Sequence, residues 1–181
     1  MNLVYQIPNK LYYINNFLDY NTYKKLHYDV FRNKLLELKT TKDVWQEPLK
    51  HGHKNYVEKL HLDNKNKCLQ KIKILLETNP FHKVKIKNFN PLIHSMKDGS
   101  GINWHHDGVH AYGITYYLNR RWNDKFGGEF LFKDEFSNGF IPLIGNSLVI
   151  LKSPFLHKVS PVQKPTVPRK TIQIFIENYE E

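Results

Sequence analysis

The chain has 181 residues, of which 40% are hydrophobic and 14% aromatic, enough to form the core of one domain. Its single cysteine, Cys68, excludes an intrachain disulfide and a zinc site of the CxxC type, and it favours a reducing compartment. The net charge of +10 is compatible with a nucleic acid, a phosphorylated ligand or an acidic protein partner. Because the lysines are scattered, they are more typical of a solvated surface, and the sequence contains no phosphate-binding glycine loop or nucleic-acid-binding motif.

The chain contains no uninterrupted apolar stretch of the length that a signal peptide or a membrane span needs. We therefore expect a cytoplasmic protein with no membrane partner. No internal repeat or low-complexity linker divides the sequence. We expect one domain over residues 1–181, with a helical support at about 1–80 and a β core at about 81–178.

The first predicted elements are mainly helical. The stretch LYYINNF, at residues 11–17, predicts a short strand. Asp19 or Asn21 can cap a helix that continues to about residue 38. A second helix is predicted from about residue 63 to 77, because the Asn-Pro pair that follows cannot continue it.

Strands dominate the rest of the chain, and Gly, Pro and Asn turn signals separate them. Short strands at such spacing favour a sandwich or a barrel. We therefore expect a mainly β fold with a barrel-like core and supporting helices on one outer face. The predicted strands are HKVKIKNF, PLIHSMK, GITYYLN, GEFLFKD, SLVILK and RKTIQIFIE.

Three His-x-Asp motifs occur where ten histidines and eight aspartates predict about half a match by chance. The pairs His27/Asp29 and His61/Asp63 fall in or at the start of a predicted helix, where residues two apart point about 200° from one another. The pair His105/Asp107 precedes a strand, and in an extended chain residues two apart share a face. Only this last pair is predicted to close on one metal ion, with His106 on the opposite side.

A third metal ligand is needed, and the candidate is His157 in SPFLHKVSPV. The alternative for His157 is a partly buried loop histidine that hydrogen-bonds a carbonyl. Two histidines and one carboxylate form the facial triad of non-haem Fe(II) oxygenases. The same set can hold hydrolytic zinc, but those histidines lie in HExxH on a helix, and the sequence has no HExxH.

The last predicted strand carries a basic residue that needs an explanation. Strand alternation places Arg169 on the face opposite three isoleucines, which can pack under the helices. An arginine that points into a barrel is costly unless an anion meets it, and a dicarboxylic co-substrate would supply that anion. Alternatively, Arg169 lies at the strand start and reaches solvent.

These residues together resemble the Fe(II)/2-oxoglutarate-dependent dioxygenases, and the chain is most similar to their prolyl-hydroxylase branch of the oxygen-sensing type. The resemblance covers about residues 91–176 and rests on His105-x-Asp107, GITYYLNRRWNDKFGGEFLF, His157 and Arg169. It implies a double-stranded β-helix, Fe(II), and 2-oxoglutarate and O2 as co-substrates, with ascorbate as a candidate further cofactor. The implied products are succinate, CO2 and a hydroxylated substrate.

The resemblance also implies a role for each site residue. His105, Asp107 and His157 would bind Fe(II), Arg169 would pair with the C5 carboxylate of 2-oxoglutarate, and Tyr117 would donate a hydrogen bond to that carboxylate. The carboxylate of Asp107 favours hydroxylation, because related halogenases have a small residue in its place.

The sequence differs from the oxygen-sensing branch at two places, both of which we expect at the mouth of the pocket. The oxygen-sensing branch has a tyrosine about ten residues before the first metal histidine, where this chain has Ser95-Met96, and the GVHAYG loop lacks the arginine that the branch uses near its peptide. The leading hypothesis is a hydroxylase of a prolyl residue in a protein, and the alternative is a small-molecule hydroxylase. Nucleic-acid demethylation is disfavoured by Phe175, where that branch has a second arginine, and a retained triad argues against a non-enzymatic binding module.

Substrate choice is predicted to lie in the segment from Val44 to Lys59 and in Arg120-Arg121-Trp122, from their polar, aromatic and basic character. The alternative is that these residues form ordinary exposed connections.

Overall fold

The structure, a computed structural model, describes residues 1–32, 57–108 and 110–177, without the side chain of His61. Its strands, numbered in chain order, are β1 Asn2–Ile7, β2 Leu11–Asn15, β3 Glu58–His61, β4 Leu92–Met96, β5 Ile102–His105, β6 His110–Tyr117, β7 Phe130–Lys133, β8 Asn138–Ile141, β9 Leu148–Lys152, β10 Leu156–Val159 and β11 Arg169–Glu177. One sheet has the order β1-β2-β9-β6-β11-β4-β3 and the other β5-β10-β7-β8. All neighbouring strands are antiparallel. The predicted mainly β fold is confirmed.

Two helices support the larger sheet. Helix α1 spans Tyr20–Arg32, and its predicted cap is Asp19, whose carboxylate accepts the backbone N–H of Thr22 at 3.0 Å. The predicted continuation of α1 beyond Arg32 lies outside the described residues. Helix α2 spans Lys67–Thr78 and stops before the Asn-Pro pair, as expected.

The predicted start of α2 at residue 63 is wrong. The side chain of Asn66 accepts the backbone N–H groups of Cys68 and Leu69, so Asn66 is the cap. Asp63 instead accepts the backbone N–H of Lys65 at 3.0 Å in the turn before the helix.

The two faces of β11 have different surroundings, as its alternation predicts. Ile172, Ile174 and Ile176 are buried in one apolar cluster with the inner faces of α1 and α2. A second cluster lies between the two sheets and contains side chains of β2, β7 and β9. The helices therefore cover the outer face of the larger sheet and leave its inner face for a pocket.

Five of the six predicted core strands are present, and HKVKIKNF is not a strand. Its alternation is real, because Val84 and Ile86 are buried in the helix-side cluster while the lysines that alternate with them, Lys83, Lys85 and Lys87, are exposed. The stretch pairs with no strand among the described residues, so its alternation there reflects packing against the helix-side cluster. The division of the chain near residue 80 remains a prediction, although β1 to β3 all join the larger sheet.

Within residues 1–32, 57–108 and 110–177, neither helix is both long and apolar enough to cross a bilayer.

Candidate metal and co-substrate site

Strand pairing brings the three candidate metal ligands together. His105 on β5 lies directly opposite His157 on β10, and their ring centroids are 4.2 Å apart. The Oδ1 atom of Asp107 lies 3.8 Å from Nε2 of His105 and 3.6 Å from Nε2 of His157. These distances are too long for hydrogen bonds but fit one ion about 2 Å from each atom. The three groups could therefore hold a metal ion.

Backbone carbonyls fix both imidazole rings in the orientation that metal binding needs. Nδ1 of His105 lies 2.7 Å from the carbonyl oxygen of Asn103, and Nδ1 of His157 lies 2.9 Å from that of Phe155. Since a carbonyl can only accept, each Nδ1 is the donor and each Nε2 keeps its lone pair. Such outer contacts set the tautomer of histidines that bind metals. His157 therefore donates a hydrogen bond to a carbonyl, as the alternative interpretation of this residue predicts, but it lies in strand β10 and not in a loop.

The protonation of the three side chains also suits a cation. Burial and the neighbouring His157 lower the pKa of His105 to about 4, and burial lowers the pKa of His157 to about 4. Both rings are neutral at neutral pH and can offer lone pairs. Burial raises the pKa of Asp107, and a bound cation would favour its carboxylate form.

Gly113 on β6 makes room for the carboxylate of Asp107. A Cβ atom at position 113 would lie 1.9 Å from Oδ2 and 2.9 Å from Cγ of Asp107. Only glycine permits this approach, so Gly113 is a site residue that the sequence reasoning missed. Its signal was a lone glycine inside the apolar strand, which often marks a close approach.

Arg169 points into the barrel and does not reach solvent, since only 1% of it is exposed. Its Nε donates to the carbonyl oxygen of Gly128 at 2.9 Å, and its Nη1 contacts Sδ of Met96 at 3.7 Å. Nη2 has no hydrogen-bond partner, and within the described residues no carboxylate forms an ion pair with the guanidinium. A buried arginine in this state is strongly destabilising unless an anion binds to it.

Tyr117 lies beside Arg169, and its hydroxyl is the second buried polar group here without a hydrogen-bond partner among the described residues. It is fully buried, and the guanidinium carbon of Arg169 is 5.6 Å from the centre of its ring. The hydroxyl makes no hydrogen bond of acceptable geometry within the described part of the chain. Burial raises the pKa of this hydroxyl, so it remains a donor. Together the two orphaned donors suit a carboxylate.

A single pocket contains both parts of the site. It is lined by the three candidate metal ligands and by Arg169, so a ligand anchored at Arg169 can reach the metal position. The wall between them carries Thr115 and Gln173, which the alternation of β6 and β11 turns inward. The donors and acceptors present thus match a metal ion together with a dicarboxylate.

The other predicted residues lie elsewhere. His106 is exposed, and His110 begins β6, where its ring stacks on that of Phe175 with the ring centroids 4.9 Å apart. Arg120 and Arg121 line a separate groove beside α1, away from the pocket-lining residues, which does not favour their predicted role in substrate choice. Most of the predicted 44–59 segment lies outside the described residues.

Comparisons with known proteins agree with this geometry. The family model described as the 2OG-Fe(II) oxygenase superfamily matches residues 91–177, the part that holds every candidate site residue. None of the curated proteins matches the chain.

Solved structures share the fold at low sequence identity. A prolyl-4-hydroxylase from Pseudomonas putida gives a TM-score of 0.70 at 14% identity over 96% of this chain and 95% of its own. A Trichoplax adhaerens prolyl hydroxylase, in complex with a peptide fragment of the oxygen degradation domain of hypoxia inducible factor, gives a TM-score of 0.68 at 16% identity. The match covers 94% of this chain and 84% of that structure. A 2OG-Fe(II) oxygenase family oxidoreductase from Burkholderia pseudomallei gives a TM-score of 0.58 at 13% identity, over 93% of this chain and 84% of its own.

The two sheets and their pocket are thus the double-stranded β-helix of prolyl hydroxylases. Residues 91–177, just under half of the chain, match the 2OG-Fe(II) oxygenase superfamily. Together with the His-Asp-His cluster, this match indicates a 2-oxoglutarate-dependent dioxygenase that uses Fe(II) and O2.

Proposed function

We propose that His105, Asp107 and His157 bind the Fe(II), and that Arg169 and Tyr117 bind the C5 carboxylate of 2-oxoglutarate. The observation that carries this proposal is the fully buried guanidinium of Arg169, which lies in the same pocket as the triad and has no counter-ion among the described residues. A charge-assisted pair with a carboxylate would satisfy Nη2, and the Tyr117 hydroxyl would donate to the same group.

When bound, Fe(II) with 2-oxoglutarate and O2 supplies an oxidation that yields succinate, CO2 and a hydroxylated substrate. The chain's own residues bind and orient the reactants. The carbonyls of Asn103 and Phe155 hold the two imidazole rings so that each Nε2 would be directed at a bound ion. His105, Asp107 and His157 would hold the ion with three protein ligands, which would leave room for the co-substrate and O2.

The proposed substrate is a prolyl residue of a protein. The support is the fold, since two structures with TM-scores near 0.7 are prolyl hydroxylases and one of them holds a peptide. The metal end of the pocket is also the end nearest solvent, because His106 and Gly108 on either side of Asp107 are exposed. A peptide could reach the metal from that side.

Succinate formation tests the chemistry. Anaerobically purified protein would be given Fe(II), 2-oxoglutarate and then O2, and wild type would be compared with His105→Ala and Arg169→Ala. The matched control is His106→Ala, which removes an exposed neighbouring histidine. We expect both site variants to lose turnover and 2-oxoglutarate binding and the control to retain them. If His105→Ala and His106→Ala behaved alike, the proposed ligand set would be wrong.

The substrate needs a separate assay. Proline-containing peptides would be incubated with the active enzyme, and mass spectrometry would detect the gain of one oxygen atom on proline. Activity on free amino acids or other small molecules, with no activity on any peptide, would contradict the prolyl proposal and favour the small-molecule alternative.

A further inference from the structure

In the part of the chain that the structure describes, the pocket contains one more polar side chain without a hydrogen-bond partner, His94 on β4. It lines the same pocket as the triad and Arg169, and only 2% of it is exposed. Neither ring nitrogen has a hydrogen-bond partner within the described residues. Burial and the nearby positive charges of Lys59 and Arg169 lower the pKa of His94 to about 3, so the ring is neutral and has one N–H donor. A buried donor without an acceptor is destabilising, which indicates that a ligand completes it.

The other polar side chains of the same wall do not share this feature. The hydroxyl of Thr115 donates to the side-chain carbonyl of Gln173 at 2.9 Å, and the amide of Gln173 donates to the hydroxyl of Thr171 at 2.9 Å. These three satisfy one another, so they do not require a ligand. His94 stands apart from this network.

Strand register places His94 between the two ends of the pocket. Thr171 on β11 pairs with His94 on one side and with Tyr117 on the other. Arg169 lies two residues before Thr171, about 7 Å along the strand. Gly113, against which the Asp107 carboxylate packs, pairs with the other end of β11. A dicarboxylate that extends from Arg169 to the metal position therefore passes His94 on its β4 side.

We propose that His94 donates a hydrogen bond to a carboxylate oxygen of bound 2-oxoglutarate, as an anchor on the wall across β11 from Tyr117. This inference rests on the proposed function of the pocket. A neutral donor fits the position because the site already contains the cationic guanidinium of Arg169 and would contain a metal cation. No signal in the sequence singled out His94, since a lone histidine in an apolar strand is more often a packed core residue.

Anaerobic calorimetry of 2-oxoglutarate binding to the Mn(II)-loaded protein tests this role without turnover. His94→Leu removes the donor, and we expect its affinity for 2-oxoglutarate to fall about 10-fold or more, as for the loss of a hydrogen bond to a charged group. His94→Gln restores an N–H donor and should recover part of that loss. The affinity for Mn(II) itself should stay unchanged in both variants.

His82→Leu is the matched control. His82 also has a ring nitrogen without a partner, but it stacks on Tyr12 at 4.5 Å and does not line the pocket. We expect this control to bind 2-oxoglutarate as wild type does. An unchanged 2-oxoglutarate affinity in His94→Leu, or a parallel loss of Mn(II) affinity, would overturn the inference.

Arg169→Gln separates the two levels of the argument. If wild type bound no 2-oxoglutarate, or if Arg169→Gln bound it as tightly as wild type, the proposed function would fail. If Arg169→Gln lost binding while His94→Leu kept it, only the role of His94 would be wrong.

Discussion

Gly113→Ala should remove metal binding while leaving the fold intact. The new Cβ would lie 1.9 Å from Oδ2 of Asp107, so the carboxylate must move by about 1.5 Å to reach an ordinary van der Waals distance. Metal–oxygen bonds are about 2 Å long, so such a displacement removes Asp107 from the ligand set. We expect metal affinity to fall at least about 100-fold, more than typical losses from changes outside the ligands themselves. The backbone should survive, because the clash involves the end of a side chain.

A double-mutant cycle with Asp107→Ala isolates this clash. Without the Asp107 carboxylate the alanine at 113 meets no obstacle within the described residues, and it lowers the conformational entropy of the unfolded chain. The double variant should therefore be more stable than Asp107→Ala alone by about 0.4–1 kcal/mol. In the Asp107 background the displaced side chain should offset this gain by about 1 kcal/mol.

Calorimetric titration with Mn(II) and urea unfolding of the metal-free protein would measure the two quantities. Metal affinity in Gly113→Ala within about a factor of three of wild type would refute the reasoning, because the carboxylate would then tolerate the added methyl group. Equal effects of Gly113→Ala on stability in both backgrounds would refute the role of the clash.

Three further predictions concern charge and protonation. Arg169→Gln should lower the affinity for 2-oxoglutarate about 100-fold or more in calorimetry, because the co-substrate carboxylate loses its buried charged partner. A small effect would mean that this carboxylate binds elsewhere. Metal at about 100 times its dissociation constant should stabilise wild type by about 2.7 kcal/mol and raise Tm by about 5–11 °C, whereas a similar shift in Asp107→Ala would contradict the ligand assignment. The ring of His94 is neutral in the folded protein and titrates near pH 6.5 in the unfolded chain. Its contribution to the free energy of unfolding is therefore complete above about pH 6.5 and is lost as the pH falls towards 3. In urea unfolding below about pH 6, wild type should therefore lose up to about 1.4 kcal/mol per pH unit more than His94→Leu, and parallel pH profiles would count against a buried neutral ring.

Local sequence patterns were sufficient to predict part of the site. The His105-x-Asp107 motif predicts two neighbouring metal ligands, and strand alternation alone predicts that Arg169 points inward. The structure does place Arg169 inside, with its neighbouring isoleucines under the helices. The predicted orientation of Arg169 is confirmed because it depends only on the geometry of one strand, whereas His105 ends β5 and Asp107 lies in the loop that follows it.

The remaining features depend on pairing between distant strands, which no local pattern contains. His157 meets His105 because β10 pairs with β5, and His94 enters the pocket because β4 pairs with β11. The stretch HKVKIKNF shows the reverse error, since its predicted alternation is correct but no strand of the described ranges pairs with it. The period of the hydrophobic pattern predicts which side chains are buried, whereas the pairing register between strands decides which of them come into contact.

A crystal structure of the anaerobic complex with Mn(II) and 2-oxoglutarate would test the central claim most directly. We predict one metal ion bound by Nε2 of His105, Oδ1 of Asp107 and Nε2 of His157, with the C5 carboxylate of 2-oxoglutarate paired to Arg169. A metal ion bound by other residues, or a co-substrate that leaves the guanidinium of Arg169 without an anion, would contradict the account.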